Sequence, residues 1–549
     1  MKRTRKVLCV VLLLTLIFTT LVACNTKPAP AEPTPAPSAA SSSGDSSSET
    51  AQTADNDGTF KLPIVSEPFT ITIWKAAGDV VYKTMSNLSE GAYWKEMEAR
   101  TGIHVDFIHP SVGQETQSLN LLLASDDLPD LIEPMYGYEY PGGYETGVAE
   151  GVFYDITNIV KEHCPNYMAA LQLTESITKQ CYTDSGMISG FWNISVGGPQ
   201  PPWLGVVVRK DWLDDLGLDT PVTYDDWYNM LKAFKAEKGA VAPMMLYFTG
   251  FNPQNVFCGG YNITETFFKV GDTVKYGPLE SGYKEYLSML AKWYDEGLID
   301  PDFATKKDFL PSQEFTTTGK TGAFYEQYLD LTMLKERSDD ANYQLIGVPT
   351  PRVNANDEIH IRQVNFEAYA SRWIMTTDCK DPVTVAKWCD YAYTEEGDLL
   401  ASYGFEDKTY EIVNGKPQFT EFMYKNPDGL SLAEAYHYYA KLGGAGLYHW
   451  DREFAGMAQN DLNAMDVWGA DNDGSYILPP VSMTADEASE YATIMNDIET
   501  YRSEMVINFI LGLEPLDNYD TFVDTIRSMN IDRAIEIYQA ALNRYNARG

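Results

Sequence analysis

The stretch from Phe69 to Ile108 limits the fold more than any other part of this chain. Phe69-Thr-Ile-Thr-Ile-Trp74 alternates apolar and polar residues with a period of two, the pattern of a half-buried strand. Tyr93-Trp-Lys-Glu-Met-Glu-Ala-Arg100 then follows helical spacing, Thr101-Gly102 stops it, and Ile103-His-Val-Asp-Phe-Ile108 alternates again. Strand, helix and strand at this spacing form a βαβ unit, whose two strands run parallel. A helix over Glu115 to Leu123 and a short strand at Leu131-Ile132 repeat the unit, so the spacing predicts a doubly wound α/β domain. With 549 residues, 44% of them hydrophobic, the chain exceeds what one core holds, and two lobes are expected.

The N-terminal flank has a different character. Met1-Lys-Arg-Thr-Arg-Lys6, an apolar run from Val7 and the small residues before Cys24 have the layout of a secretory signal. Leu21-Val-Ala-Cys24 resembles the bacterial lipobox, which implies cleavage before Cys24 and lipid attachment to it. An uncleaved transmembrane anchor is the competing reading, since about 18 apolar residues is the lower limit for spanning a bilayer. The small residues before Cys24 and the absence of a charged stop-transfer segment decide for the signal peptide, residues 1–23. Residues 24–66 are rich in Pro, Ser, Ala and Thr, too poor in large apolar groups to offset the entropy of ordering, and read as a disordered tether. Loss of the leader removes Lys2, Arg3, Arg5 and Lys6, taking the formal charge from −37 to about −41. Such a surface repels nucleic acid and anionic lipid.

Beyond Cys9 and Cys24 there remain Cys164, Cys181, Cys258, Cys379 and Cys389. The odd number leaves at least one thiol, no CxxC spacing occurs, and both a Cys164–Cys181 disulfide and a set of small buried thiols fit the count.

Several ordered segments resemble a known family: Thr101-Gly-Ile-His-Val105, Leu123-Ala-Ser-Asp-Asp-Leu-Pro-Asp-Leu-Ile132, Gly151-Val-Phe-Tyr-Asp-Ile156, Val208-Arg-Lys-Asp-Trp-Leu-Asp-Asp-Leu-Gly217, Pro221-Val-Thr-Tyr-Asp-Asp-Trp227, Glu296-Gly-Leu-Ile-Asp-Pro301 and Gly319-Lys-Thr-Gly-Ala-Phe324. In this order they resemble the extracellular solute-binding proteins of carbohydrate ABC importers. Glu395-Glu-Gly-Asp-Leu-Leu-Ala-Ser-Tyr-Gly-Phe405 and Ile537-Tyr-Gln-Ala-Ala-Leu-Asn-Arg544 are similar to the large oligosaccharide-binding lipoproteins of Firmicutes, relatives of alginate- and uronate-binding proteins. The resemblance implies a two-lobed α/β periplasmic-binding-protein-like fold of type II with sugar held between the lobes. It implies an N-terminal lobe of 67–190 plus 345–405, a C-terminal lobe of 191–344 plus 406–549, and crossings near Gly190–Val208 and Gln344–Pro349. It further implies an oligosaccharide ligand, uronate-bearing or neutral, ABC permease subunits as partners, a monomer, no cofactor, and a place on the outer face of the cell membrane.

Sugar recognition needs flat aromatic faces for the C–H side of a pyranose and fixed polar groups for its hydroxyls. Aromatic and amide residues at strand ends and in loops make Trp74, Tyr136, Tyr138, Trp192, Trp203, Tyr261, Tyr325, Gln327, Tyr328, Trp373 and Trp450 the candidate ligand-binding set. Trp94, Trp212, Trp227, Trp293 and Trp388 sit at helical spacing and are read as core. Arg209 suits either a carboxylate clamp or a pair with Asp211 or Asp215, the latter preferred; Arg352, Arg362 and Arg372 share the ambiguity. Where many relatives carry a calcium loop, this chain reads Lys235-Ala-Glu-Lys-Gly-Ala-Val-Ala-Pro243 and lacks clustered oxygen ligands, so no metal is expected there. Asp55-Asn-Asp-Gly58 and Asp471-Asn-Asp-Gly474 read as turns.

Two other functions compete. An exported polysaccharide hydrolase or lyase also suits an acidic, aromatic-rich chain, but there is no HExxH or GxSxG, and the Gly319-Lys-Thr321 end of a nucleotide loop has Glu314 where its first glycine belongs. A sugar-sensing or adhesive lipoprotein would share every feature except the permease.

Overall fold

The computed structural model describes residues 61–548 apart from 126, 136–139, 246–256, 307–312, 442 and 471–472. The leader, Cys24 and the tether up to residue 60 lie outside the described residues. The tether was expected to continue to residue 66, but the described chain is already packed by then. Leu62, Ile64 and Val65 lie against the first-lobe core, and the Ile64 and Val65 amides donate to the Thr101 carbonyl at 2.9 and 3.4 Å. Gly102 permits this approach: its φ is +77°, and a Cβ there would stand 2.8 Å from the Val65 carbonyl oxygen.

Thirteen strands are found among the described residues. Six form the first sheet, in the order β13 (Gly446–His449), β4 (Phe191–Val196), β10 (Ala368–Met375), β3 (Leu131–Glu133), β1 (Phe69–Lys75) and β2 (Ile103–Ile108). β1 runs parallel to β2, with Phe69 opposite Ile103, and parallel to β3, with Ile73 opposite Leu131. On β2, Ile103, Val105 and Phe107 are buried and His104, Asp106 and Ile108 exposed, so its alternation is that of an edge strand covered on one face. Helix Ala92–Thr101 covers that face with Tyr93, Trp94 and Met97.

The second sheet is antiparallel, β8 (Ala323–Gln327), β5 (Leu204–Arg209) and β9 (Leu345–Gly347). Parallel bridges from Met244 to Ala323 and Ile299 widen it. All of β5 is buried because both faces are covered. Val206 and Val208 meet Trp227, Phe234 and Trp293 on one side, and Val207 meets Phe324, Leu331 and Trp468 on the other. Helix Gln459–Gly469 supplies the second cover and lies so close that a Cβ on Gly205 would fall 2.3 Å from the Trp468 ring, and one on Gly347 2.7 Å from Ala464 Cα. Two hairpins, β6 (Phe267–Val270) with β7 (Thr273–Tyr276) and β11 (Tyr410–Val413) with β12 (Lys416–Phe419), stand apart from the sheets.

The chain passes between the lobes three times: through 197–203 after β4, through 348–367 before β10, and after β13 into helices Trp450–Phe454 and Gln459–Gly469. The resemblance implies that 406–549 lies in the C-terminal lobe, yet β13 is hydrogen-bonded in parallel to β4, and helix Leu432–Tyr439 packs on helix Ala92–Thr101. Residues 406–449 therefore belong with the first sheet. Gly446-Leu-Tyr-His449 is too short to signal a strand, and its partner lies some 250 residues upstream, so nothing local announces the pairing. All five described cysteines beyond Cys24 are free and buried, with no Cys164–Cys181 disulfide. Among the described residues no helix is long and apolar enough to cross a membrane.

Because the helix over the second sheet is seated on glycine, Gly347→Val should lower the free energy of unfolding by about 1–3 kcal/mol through overpacking. Denaturant titration would read this as a lower midpoint at an unchanged slope.

Candidate functional site

A cleft of about 1680 Å³ opens where the crossings meet the two sheets. The first lobe contributes Tyr140, Tyr144, Trp192 and Arg372, the second Gln327, Tyr328 and Arg548, and the crossing segments Trp203, Gln363 and Phe366. Trp192 projects from β4; its Nε1 donates to Ser189 Oγ at 3.1 Å, and the Arg372 guanidinium lies over its ring at 4.5 Å. Both contacts fix the plane of the indole. Trp203 is positioned through its backbone: its N–H and that of Leu204 donate to Gln363 Oε1 at 2.8 and 3.0 Å, while its carbonyl accepts from the Tyr328 amide at 3.1 Å. Two backbone donors on Oε1 settle the orientation of the Gln363 amide and leave Nε2 as the group it offers a ligand.

Other polar groups in the wall are already committed. Gln180 accepts from the Ala368 amide at 2.8 Å and donates to Ser176 Oγ and Glu367 Oε2 at 2.6 and 3.0 Å. The Tyr140 hydroxyl donates to Glu150 Oε2 at 2.6 Å and that of Tyr144 to the Tyr154 carbonyl at 2.7 Å, so both rings are held by their polar ends. Among the described residues the wall carries three carboxylates, Glu145, Glu150 and Asp184, and three guanidinium groups, Arg372, Arg544 and Arg548. The cleft is therefore charge-balanced in a chain of net −37.

Directly behind Gln327, Glu326 is 3% exposed. Burial pushes its carboxyl up to about 8, against one backbone hydrogen bond from Gln327 and with the Asp330 carboxyl beside it. Asp330 is raised by burial as well. With Glu326 holding its proton through the neutral range, the pair carries one negative charge instead of two.

The structure brings Trp192, Trp203, Gln327 and Tyr328 of the candidate set together in the cleft wall. Trp74 is 1% exposed and packs on Leu119 and Ile132; Tyr325 is fully buried in the second-lobe core. Trp373 is 2% exposed, stacks on Trp388 at 5.2 Å and donates from Nε1 to Glu133 Oε2 at 2.8 Å. Tyr261 stacks on Tyr224 at 4.8 Å against the second-lobe core. Trp450 is buried at the third crossing, its Nε1 donating to Ser195 Oγ at 2.7 Å. Trp74, Tyr325 and Trp373 are core residues because strands covered on both faces bury aromatics at either phase of the alternation, whereas Tyr261 ends a short 3-10 turn and Trp450 opens a helix. Tyr136 and Tyr138 lie outside the described residues. Tyr140, Tyr144, Gln363 and Phe366 were not expected in the wall, and only the tyrosine-rich run before Glu145 hinted at the first two; Arg372, open between a carboxylate clamp and a structural pair, lies in the wall. Arg209 is a structural residue, paired with Asp211 at 2.8 and 2.5 Å and with Asp340 at 2.7 Å, between the rings of Trp212 and Tyr343. Asp215 pairs with Lys238 instead.

Comparison with known proteins bears on this geometry. Residues 86–398 match the family model described as bacterial extracellular solute-binding protein. The chain is 24% identical over 351 residues to the lipoprotein LipO of Bacillus subtilis, a stretch that spans 58% of this chain and 64% of LipO. It is 21% identical over 485 residues to the fructooligosaccharide ABC transporter substrate-binding protein FusA of Streptococcus pneumoniae, covering 82% of this chain and 87% of FusA. Its fold matches a crystal structure of the alginate-binding protein AlgQ2 without calcium ion, with a TM-score of 0.65 and 21% identity over 87% of this chain and 99% of AlgQ2.

Core and cleft tryptophans should separate experimentally. Trp192→Ala should weaken ligand binding by about 1.5–3 kcal/mol with little change in stability, whereas Trp74→Ala should lower stability by about 3–5 kcal/mol. Isothermal calorimetry and denaturant unfolding distinguish the two. The Glu326 carboxyl gives a pH signature. Its folded value lies above the ordinary 4.5, so between pH 4.5 and 8 the unfolded chain has released a proton that the folded chain keeps, and stability falls as pH rises. Glu326→Gln retains a donor toward Asp330 and an acceptor for the Gln327 amide but does not titrate. Its thermal midpoint should therefore drop less between pH 5 and pH 8 than that of the parent chain.

Proposed function

Because the chain belongs to the bacterial extracellular solute-binding protein family, we propose that it is a lipid-anchored receptor that captures an oligosaccharide and delivers it to the permease subunits of an ABC importer. The observation that carries this reading is the cleft. Its volume of about 1680 Å³ exceeds the usual range of about 300–1,000 Å³ for small-ligand pockets. Its wall pairs flat faces on Trp192 and Trp203 with amides on Gln327 and Gln363, the two kinds of group a chain of sugar rings requires. The fructooligosaccharide named for FusA supports the ligand class.

In this reading Cys24 carries the lipid after removal of residues 1–23, the following residues act as the tether, and the body works as a monomer on the outer face of the membrane. Anchoring keeps the receptor at high effective concentration beside its importer. The charge balance of the cleft favours a predominantly neutral glycan, with Arg372 above Trp192 as the cation a uronate would meet. The receptor changes no covalent bond.

Calorimetry against neutral and uronate-bearing oligosaccharides is expected to find a ligand of micromolar or better affinity, with no product released. Turnover of a panel member would overturn the receptor reading. In cells, Cys24→Ser should abolish labelling with a fatty acid analogue and release the protein to the medium.

A further inference from the structure

The C-terminal helix, Ile531–Asn546, belongs to the second lobe for most of its length. Ile531 and Ala534 sit in that lobe's core, and the helix packs along helix Ala485–Ile510. Its last turn and the two residues after it reach the other lobe. Arg544 Nε donates to Asp184 Oδ2 at 2.7 Å, Arg548 Nε donates to Asp184 Oδ1 at 2.6 Å, and Arg548 Nη1 donates to the Lys179 carbonyl at 3.0 Å. Lys179 and Asp184 belong to the first lobe: Ile177 and Cys181 of the same segment fill its core. Each carboxylate oxygen of Asp184 thus receives an N–H from a different arginine.

Both arginines are braced from their own side. Glu487 accepts from Arg544 Nη1 and Nη2 at 2.9 and 2.5 Å, and Ser482 Oγ accepts from Arg548 Nη2 at 2.9 Å. The Arg548 side chain is 3% exposed and that of Asp184 17%. Water therefore screens the pair less than an ordinary surface bridge, and the hydrogen bonds are of the stronger, charge-assisted kind. Because Asp184, Arg544 and Arg548 all line the cleft, the bond between them spans it.

We propose that Arg544 and Arg548 form an electrostatic clasp with Asp184 that holds the lobes together along one side of the cleft and sets the balance between open and closed forms. A ligand that requires the closed form binds with its intrinsic affinity scaled by the closed fraction. Weakening the clasp therefore lowers the affinity for every ligand by the same factor, whereas losing a contact to sugar changes affinities ligand by ligand. The affinity statement rests on the sugar-binding reading above; the closure statement rests on the fold alone.

The test is a pulsed dipolar distance measurement in the full chain carrying Cys9→Ser and Cys24→Ser, with spin labels on Leu121→Cys in the first lobe and Val241→Cys in the second, both exposed positions. Without ligand, Asp184→Asn and Arg548→Gln should each move population toward longer distances, and the double variant should move it little further than either. Raising the ionic strength from about 0.01 to 1 M, which shortens the screening length from about 30 to 3 Å, should do the same in the otherwise unaltered labelled chain. Two sugars found by calorimetry should both lose about tenfold in affinity in Asp184→Asn. Ligand-free distances that ignore both substitutions and salt would overturn the clasp, as would affinity losses that differ between sugars at unchanged distances. The distances are read without sugar, so failure to find a ligand leaves this test intact, and Arg544→Gln, which removes the other N–H from Asp184, is read in place of either variant should one fail to fold.

Discussion

The structure depends on the position of β4 between β13 and β10. β4 ends at the first crossing, β10 begins at the second, and β13 ends at the third. β13 is parallel to β4 and β10 antiparallel to it, so all three crossings leave the first sheet from the same end. Their adjacency is enforced by main-chain hydrogen bonds rather than by side-chain packing. Trp450 adds a side-chain tie between the third crossing and the first through Ser195, whose hydroxyl in turn donates to the Gly198 carbonyl at 2.5 Å. A bundle of three adjacent strands is stiff to sliding but free to bend, which suits lobes that rotate about one line.

From that arrangement the place of the cleft follows. Trp192 lies on β4, Gln200 and Trp203 on the first crossing, and Gln363 to Phe366 on the second, so the residues nearest the hinge also form the floor. A ligand seated there touches both lobes and the hinge at once. The second lobe answers with rigidity: β5 is buried on both faces, and helix Gln459–Gly469 rests on Gly205 and Gly347 with Trp468 Nε1 donating to the Val206 carbonyl at 3.1 Å. A lobe packed this tightly moves as a unit, which leaves bending to the crossings.

What could be read from sequence was local. β1, helix Ala92–Thr101 and β2 were legible because each announces itself by its own periodicity and a glycine stop. β13 was not, since its only qualification as a strand is a partner that local pattern cannot show. Aromatic content at strand ends was a poor guide to the site for a related reason. In sheets covered on both sides, Trp74 and Tyr325 are buried whichever way they point, while Trp192 reaches the cleft because β4 stands at the hinge, where the cover stops.

The glutamines make the same point in hydrogen-bond terms. Gln180 and Gln363 both border the cleft, and residue type alone makes them equal candidates for a sugar hydroxyl. Gln180 has spent its carbonyl and both amide directions on Ala368, Ser176 and Glu367, so it holds β10 to the neighbouring helix. Gln363 has spent only its carbonyl, on the two backbone amides that begin β5. Recognition of a polyhydroxyl ligand falls to groups whose partners within the fold leave capacity over, because a fully bonded amide gains little by exchanging one hydrogen bond for another. The identity of the ligand is thus written less in which polar residues line the cleft than in which of their atoms the fold has left unused.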